Sequence, residues 1–202
     1  MVIKFRRKTF HHRFLRGYFY SKIIDAFYSD CNSILDVGCG FGDFLVIAKS
    51  KNKVVIGVDL DKTALNYCRA NGFDVIRCDA FHLPFRDHSI DGIFFSHVIE
   101  HIPCTDALVA LTEFRRVLKN KLIVVTPTEH QGFWSEKGHI TAYTKNKLKH
   151  TLCQAGYRVL KVFYDKCFMF GINDSEFYVK ILNLLPIIWL KMNIVAIATV
   201  KS

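Results

Sequence analysis

The sequence predicts a parallel, doubly wound α/β sheet built as one domain. Short apolar runs rich in β-branched and aromatic residues alternate with longer stretches at helical spacing. The chain has 202 residues, half of them hydrophobic, which suffices for one well-packed core and is short for two. With four prolines and no repeat or low-complexity stretch, it shows no linker.

The elements follow in order. Residues 1–30 read as a basic helical arm. Lys4, Arg6, Arg7, Lys8, Arg13, Arg16 and Lys22 fall within the first 22 residues without an acid, so most of the +10 net charge sits there. Interleaved with Phe5, Phe10, Phe14, Tyr18, Phe19 and Tyr20, the arm has the composition of a nucleic-acid or anionic-membrane contact. The favoured expectation is a solvated basic face on a helix whose aromatics pack on the domain.

"SILDVG" (33–38), "VVIGVD" (54–59), "FDVIRCD" (73–79), "DGIFFS" (91–96) and "KLIVVTP" (121–127) read as buried strands. Between them "DFLVIAKSK", "KTALNYCRANG" and "TDALVALTEFRRVLKN" have helical spacing, with Thr105 expected to cap the last. A helix near 144–155, a strand near 157–164, an apolar segment and a final strand "NIVAIATV" complete the chain.

Seven scattered cysteines, odd in number and without a C-x-x-C pair, predict reduced thiols and a cytoplasmic protein. The N-terminal basic stretch is not followed by a clean apolar run with a cleavage site, so export is not expected. In Glu176–Met192 the apolar run of 14 residues, Phe177–Leu190, is broken by Lys180, Asn183 and Pro186. It falls short of the roughly 20 residues that span a bilayer. Residues 172–192 are expected to be a crossover helix or an apolar lid, with peripheral membrane contact as the lesser use.

In "SILDVGCGFGDF", Gly38, Gly40 and Gly42 follow an apolar run at alternate positions. Glycine lets a chain turn tightly and lie against a ligand, and the end of a first strand in such a sheet is the ligand crevice. Asp59 ends the second strand 21 residues beyond Gly38, where a carboxylate can accept from both ribose hydroxyls. A dinucleotide fingerprint would place a third glycine where Asp43 stands, and that acid at a helix start disfavours a pyrophosphate. No G-K-S/T follows, which excludes a P-loop. S-adenosylmethionine is a nucleoside ligand without phosphates, and its sulfonium suits a nearby carboxylate such as Asp36.

"LDVGCGFG", "GVDLD", "CDAFHLPFRDHSIDGIFFSHVIEHI" and "LTEFRRVLKNKLIVVTPT" resemble, in order, the signature segments of class I S-adenosylmethionine-dependent methyltransferases of the small-molecule, type 11-like group. The resemblance covers about residues 33–160. It implies a Rossmann-like sheet of seven strands, mostly parallel, with the last inserted antiparallel. It implies that Asp36, Gly38 and Gly40 lie against the methionine and ribose, and that Asp59 holds the ribose hydroxyls with Leu60 beside the adenine. Asp79 and the backbone of Ala80 would read the adenine, and Ser96 would face methionine and acceptor. The chain departs from the pattern where relatives carry a Pro-Gly-Gly-like turn, having "KNK" at 119–121.

Methyl transfer is an in-line displacement that needs alignment and dryness, and a base only where the acceptor must lose a proton. In "SHVIEHI", His97 and His101 are spaced i, i+4 and are expected to share a helix face with Glu100 adjacent. Beyond the fifth strand, Glu129, His130, Trp134, His139 and Tyr143 form a second group. A lone histidine is more often structural than catalytic; His101, then His97 and His139, are the candidates, because the surroundings of "EH" and His139 resemble those of small-molecule O-methyltransferases. Some such relatives bind a divalent metal near this helix, but His97 stands where an acid is required, so no metal is expected. The chain lacks the D/N-P-P-Y of base-amine methylation, and Cys104 after Pro103 lies outside the setting of a cytosine-C5 nucleophile. The acceptor is thus expected to be a small molecule, aromatic or lipid-like. The rivals are RNA methylation through the basic arm and a cofactor-binding scaffold without turnover.

Overall fold

The computed structural model describes residues 10–128, 138–165 and 193–200, with side chains from residue 16 onward. The basic residues before position 10, Glu129, His130, Trp134 and the apolar segment 172–192 lie outside the described residues.

The elements are α1 (Phe10–Phe27), β1 (Ser33–Val37), α2 (Asp43–Ser50), β2 (Val54–Asp59), α3 (Lys62–Ala70), β3 (Val75–Arg77) and β4 (Ile90–Ser96). A 3-10 turn at Ile99–His101 then leads to α4 (Cys104–Val117), β5 (Leu118–Pro127), α5 (Lys145–Gln154), β6 (Tyr157–Asp165) and β7 (Asn193–Val200). The strands form one seven-stranded sheet in the order β3-β2-β1-β4-β5-β7-β6. β1 to β5 pair in parallel, and β7 inserts antiparallel between β5 and β6. This is the expected architecture. The order reverses between β1 and β4, so the crevice beyond their carboxyl ends is the ligand position for such a sheet.

Both faces of the sheet are covered, which is why its strands read as continuous apolar runs rather than alternating ones. Leu35, Val37, Ile93, Phe95, Leu122 and Val124 join the core beneath α4 and α5. Their neighbours Ile34, Phe94, Ile123 and Val125 join the opposite core with residues of α1, α2 and α3. Of the arm's aromatics among the described side chains, Phe19 and Tyr20 are buried, and Tyr20 meets both Phe44 and Phe94 edge-on at 5.5 Å.

Two local expectations, at Thr105 and in "SHVIEHI", are corrected, and the departure at "KNK" is accounted for. α4 begins at Cys104 behind Pro103, whose extended backbone (φ −58°, ψ 151°) makes it the boundary residue, so Thr105 is not the cap. Thr105 Oγ1 donates to Asp106 instead. "KNK" forms no turn: β5 starts at Leu118 and runs through it, the extra length absorbed by a register shift against Ile90 and Gly92. Finally, "SHVIEHI" is not a helix, because the chain leaves β4 with His97 in the left-handed region (φ 56°) and makes only one 3-10 turn. The helical face expected to unite His97 and His101 does not exist.

Candidate active site

β1 ends in a loop whose backbone is fixed by β2. The N–H groups of Gly38 and Cys39 both donate to the Val58 carbonyl, at 2.8 and 3.0 Å. Gly38 (φ 78°) is required by packing, since a Cβ there would lie 2.2 Å from Val98 Cγ2. Gly40 (φ 50°) is different: a Cβ would meet nothing within 4 Å, so its bare face opens on space. Its N–H donates to Asp59 Oδ2 at 2.7 Å, while Asp59 Oδ1 accepts from Asp61 N at 2.9 Å. Each carboxylate oxygen accepts two hydrogen bonds readily, so Asp59 can anchor the loop and still accept from a ligand.

Asp36 is 3% exposed within β1, on the face it shares with Ile34. Burial, and after it the charges of Asp59 and Asp43, push its carboxyl well above the usual carboxylate range. A concentration of negative charge at the crevice disfavours phosphate and suits a cation-bearing ligand. Asp43 itself, at the start of α2, is paired with Arg16 Nη1 at 3.0 Å. Its repulsion of a pyrophosphate is therefore weaker than the sequence alone implies.

Leu60, beside Asp59, is 62% exposed despite its size, an apolar shelf next to a carboxylate. Asp79 closes its own turn, Oδ1 accepting from Phe81 N at 2.9 Å and lying 3.1 Å from His82 Nδ1. Ala80 follows within that turn, partly buried against the core. Ser96 ends β4 one residue past Phe95, which pairs with Val37, so register sets it beside Gly38. Its Oγ is buried with no hydrogen-bond partner, a cost that a bound polar ligand removes. The open face at Gly40, the orphaned Ser96 hydroxyl and the carboxylates at Asp36 and Asp59 thus fit a ligand combining ribose hydroxyls with positive charge.

The second half of the site is organised by a residue that the sequence reading treated as a bystander. Glu100 is completely buried. Its Oε2 accepts from Thr126 Oγ1 at 3.1 Å, and its Oε1 lies 3.4 Å from His97 Nδ1. Burial acts to raise its pKa, but the nearness of His97, a main-chain hydrogen bond and the charge of His101 together hold the carboxyl below its ordinary value. Its main-chain carbonyl accepts from Ile140 N at 2.7 Å and Thr141 N at 3.0 Å, which draws residues 138–143 against the end of β4.

That segment brings His139 to His101, with ring centroids 4.8 Å apart. His101 Nδ1 lies 2.9 Å from the Gly138 carbonyl; a carbonyl only accepts, so Nδ1 carries the proton. Tyr143 belongs elsewhere, fully buried in the core with its hydroxyl pKa pushed up by burial. Glu100, His101 and His139 offer metal-type donor atoms within 4.8 Å of one another. That bound is looser than the roughly 3.4 Å between donors at tetrahedral zinc distances, and both oxygens of Glu100 already face His97 and Thr126. Among the described residues no helix is long and apolar enough to cross a membrane.

Residues 35–125 match a family model described as a methyltransferase domain. The chain is 32% identical over 121 residues to the tRNA (carboxymethyluridine(34)-5-O)-methyltransferase of Xenopus tropicalis, covering 58% of this chain and 17% of that protein. It is 34% identical over 107 residues to the malonyl-(acyl-carrier protein) O-methyltransferase of Yersinia pestis, covering 52% and 39% respectively. The chain therefore spans well under two thirds of either relative. Among solved structures, an S-adenosylmethionine-dependent methyltransferase from Archaeoglobus fulgidus superposes with a TM-score of 0.74 at 23% identity, over 93% of this chain and 94% of that one. That likeness shows a shared fold.

Proposed function

Residues 35–125 are a class I, S-adenosylmethionine-dependent methyltransferase domain of the type 11 group, and from that premise we propose that the chain methylates an O, N or C atom of a small-molecule acceptor. The observation that carries this is the crevice where Gly40 is bare, Asp59 holds its N–H and Ser96 Oγ lacks a partner.

Asp59 accepts from the ribose hydroxyls beside the Leu60 shelf, and Asp36 supplies negative charge toward the methionine end. Asp79 and the Ala80 backbone take the adenine edge, and Gly38 and Gly40 allow close approach. Ser96 stands where methionine and acceptor meet. When bound, S-adenosylmethionine supplies an electrophilic methyl group on a sulfonium. The protein's own work is to align the acceptor and exclude water, with His97, His101 and His139 on the acceptor side. The acceptor class is supported by the carrier-protein-linked acid of the Yersinia relative.

A second acceptor class, RNA, is favoured by the tRNA methyltransferase among the relatives and by the seven cations of residues 1–22. The test is calorimetric titration with S-adenosylmethionine and S-adenosylhomocysteine, with NAD as control. Binding of both adenosyl ligands and not of NAD supports the proposal; binding of neither turns the chain into a scaffold without turnover. Bulk tRNA is then titrated at two salt concentrations. Affinity that falls steeply with salt and disappears on deleting residues 1–13 moves the acceptor to RNA.

A further inference from the structure

We propose that Arg16 of α1 binds the carboxylate at the methionine end of the cofactor, so that α1 forms a wall of the crevice and selects ligands that carry this carboxylate. The inference rests on the S-adenosylmethionine reading above and deepens it.

The need comes from the charges of the ligand. The methionine end of S-adenosylmethionine bears two cations, the sulfonium and an ammonium, and one carboxylate. Asp36 and Asp59 suit the cations and repel the carboxylate. An anion enters such a place at low cost only where a cation meets it. Asp36, Asp59, Asp79 and Ser96 supply none.

α1 brings one to the right end of the sheet. The Tyr28 ring lies against Gly92 and its hydroxyl donates to the Ile93 carbonyl, in the middle of β4. About two turns earlier in the helix, Tyr20 meets Phe94, further along that strand, and Phe44 near the start of α2. Toward its N-terminus α1 therefore runs to the carboxyl ends of β1 and β4. One turn before Tyr20, Arg16 reaches Asp43, with Nη1 3.0 Å from Oδ2. Phe94 pairs with Asp36 in register, and Ser96 lies two residues on, along the same face of β4. Burial pushes the Tyr20 hydroxyl up to about 12, and the charges of Arg16, Asp36 and Asp43 also act on it, which gathers these groups around one side chain.

Asp43 does not use up the guanidinium. Only 18% of the Arg16 side chain is exposed, and its Nε is buried with no hydrogen-bond partner. An unpaired donor on a cation is costly away from water. Ser96 Oγ, facing the same side of the sheet, has the same want of a partner. Arginine presents five N–H donors in a planar fork that meets a carboxylate with two parallel hydrogen bonds. With Nη1 turned to Asp43, the Nε side of the fork is left for a second carboxylate. A guanidinium that served only to fasten α1 to α2 would have no use for a buried donor left unpaired.

The test is calorimetric titration of the full chain with S-adenosylmethionine and with its decarboxylated form, which keeps the nucleoside, the sulfonium and the ammonium. Wild type should prefer S-adenosylmethionine by at least about tenfold. Arg16→Met keeps the length of the side chain and removes its charge. Its affinity for S-adenosylmethionine should fall at least about tenfold while that for the decarboxylated form stays within about threefold, so that the preference disappears. Melting curves report whether the variant is folded. Should it not fold, Arg16→Lys, which is charged but lacks the fork, should narrow the preference at least about threefold. Equal wild-type affinities for the two ligands, an equal loss of both in Arg16→Met, or an unchanged preference in Arg16→Lys overturns the role of Arg16 and leaves the cofactor reading standing. Wild type that binds neither ligand overturns the cofactor reading, and this inference with it.

Discussion

The main-chain N–H of Gly40 donates to Asp59 Oδ2 at 2.7 Å, so the glycine loop after β1 and the acid ending β2 are one unit. Asp59 consequently has two tasks, shaping the loop and accepting from the ligand. Hydrogen bonds to a charged group contribute about 1.5–3 kcal/mol. Asp59→Ala should therefore weaken S-adenosylmethionine binding by at least about tenfold, and Asp59→Asn by less, since the amide oxygen can still accept from Gly40. Calorimetric dissociation constants for both variants check this, and unchanged affinity in Asp59→Ala would refute the assignment.

Asp36 pits stability against binding. Its folded pKa is raised above the ordinary 3.8, chiefly by burial. The folded state therefore holds this proton more tightly than the unfolded state does. Its contribution is fully favourable below about pH 3.8 and declines as pH climbs toward the raised folded value. Asp36→Asn removes the charge without changing the shape. The ligand-free variant should melt higher than wild type at pH 7, and the gain should shrink as the pH is lowered toward 4. It should also bind S-adenosylmethionine more weakly, since a buried carboxylate of β1, just before the glycine loop, is gone. Melting curves across pH with and without the ligand test both halves; an equal or lower melting temperature for ligand-free Asp36→Asn counts against the burial cost.

Much of this was legible in the sequence, for identifiable physical reasons. A parallel sheet covered on both faces yields unbroken apolar strands, and Gly38, Gly40 and Asp59 mark the turns between them, so the class of sheet and its antiparallel last strand could be read. His97 could not be placed. The i, i+4 spacing to His101 is a helical signal only if the backbone is helical, and the positive φ at His97 cancels it. Glu100 was missed because its role depends on Thr126 and residues 140–141, which are distant in sequence and meet it only through β5 pairing beside β4. The "EH" dipeptide was the available signal, and attention went to its histidine. Asp79, expected to read the adenine, also closes its own turn, accepting from Phe81 N with His82 alongside, a local role that its residue type favours.

The loop after β3 is tied to α4 by one guanidinium. Arg116 donates to Glu113, to Asp87 and to the carbonyls of Leu83 and Phe85, while Glu113 Oε1 also accepts from Leu83 N at 2.8 Å. These bonds hold the residues that follow Asp79. Arg116→Lys cannot reproduce the fork. It should lower the melting temperature and raise amide exchange selectively over residues 81–89, with the β1 and β4 amides unchanged. Uniform exchange across the domain would show that Arg116 contributes general stability and does not hold this loop.

Gly38 and Gly40 should separate packing from binding. Alanine at either carries the left-handed backbone cost of roughly 1–2 kcal/mol. At Gly38 the new methyl also lies 2.2 Å from Val98 Cγ2, so either the loop or the residue following His97 must move. At Gly40 the methyl meets no protein atom within 4 Å and enters the space expected to hold the ligand. Gly38→Ala should therefore lose more thermal stability than Gly40→Ala, and adding Val98→Ala to it should restore part of the loss by removing the clashing methyl. Gly40→Ala should lose more affinity for S-adenosylmethionine than its melting temperature suggests. If the Val98 change restores nothing to Gly38→Ala, backbone strain alone accounts for that glycine; if Gly40→Ala binds the cofactor as wild type does, the open face at Gly40 is not where the ligand lies.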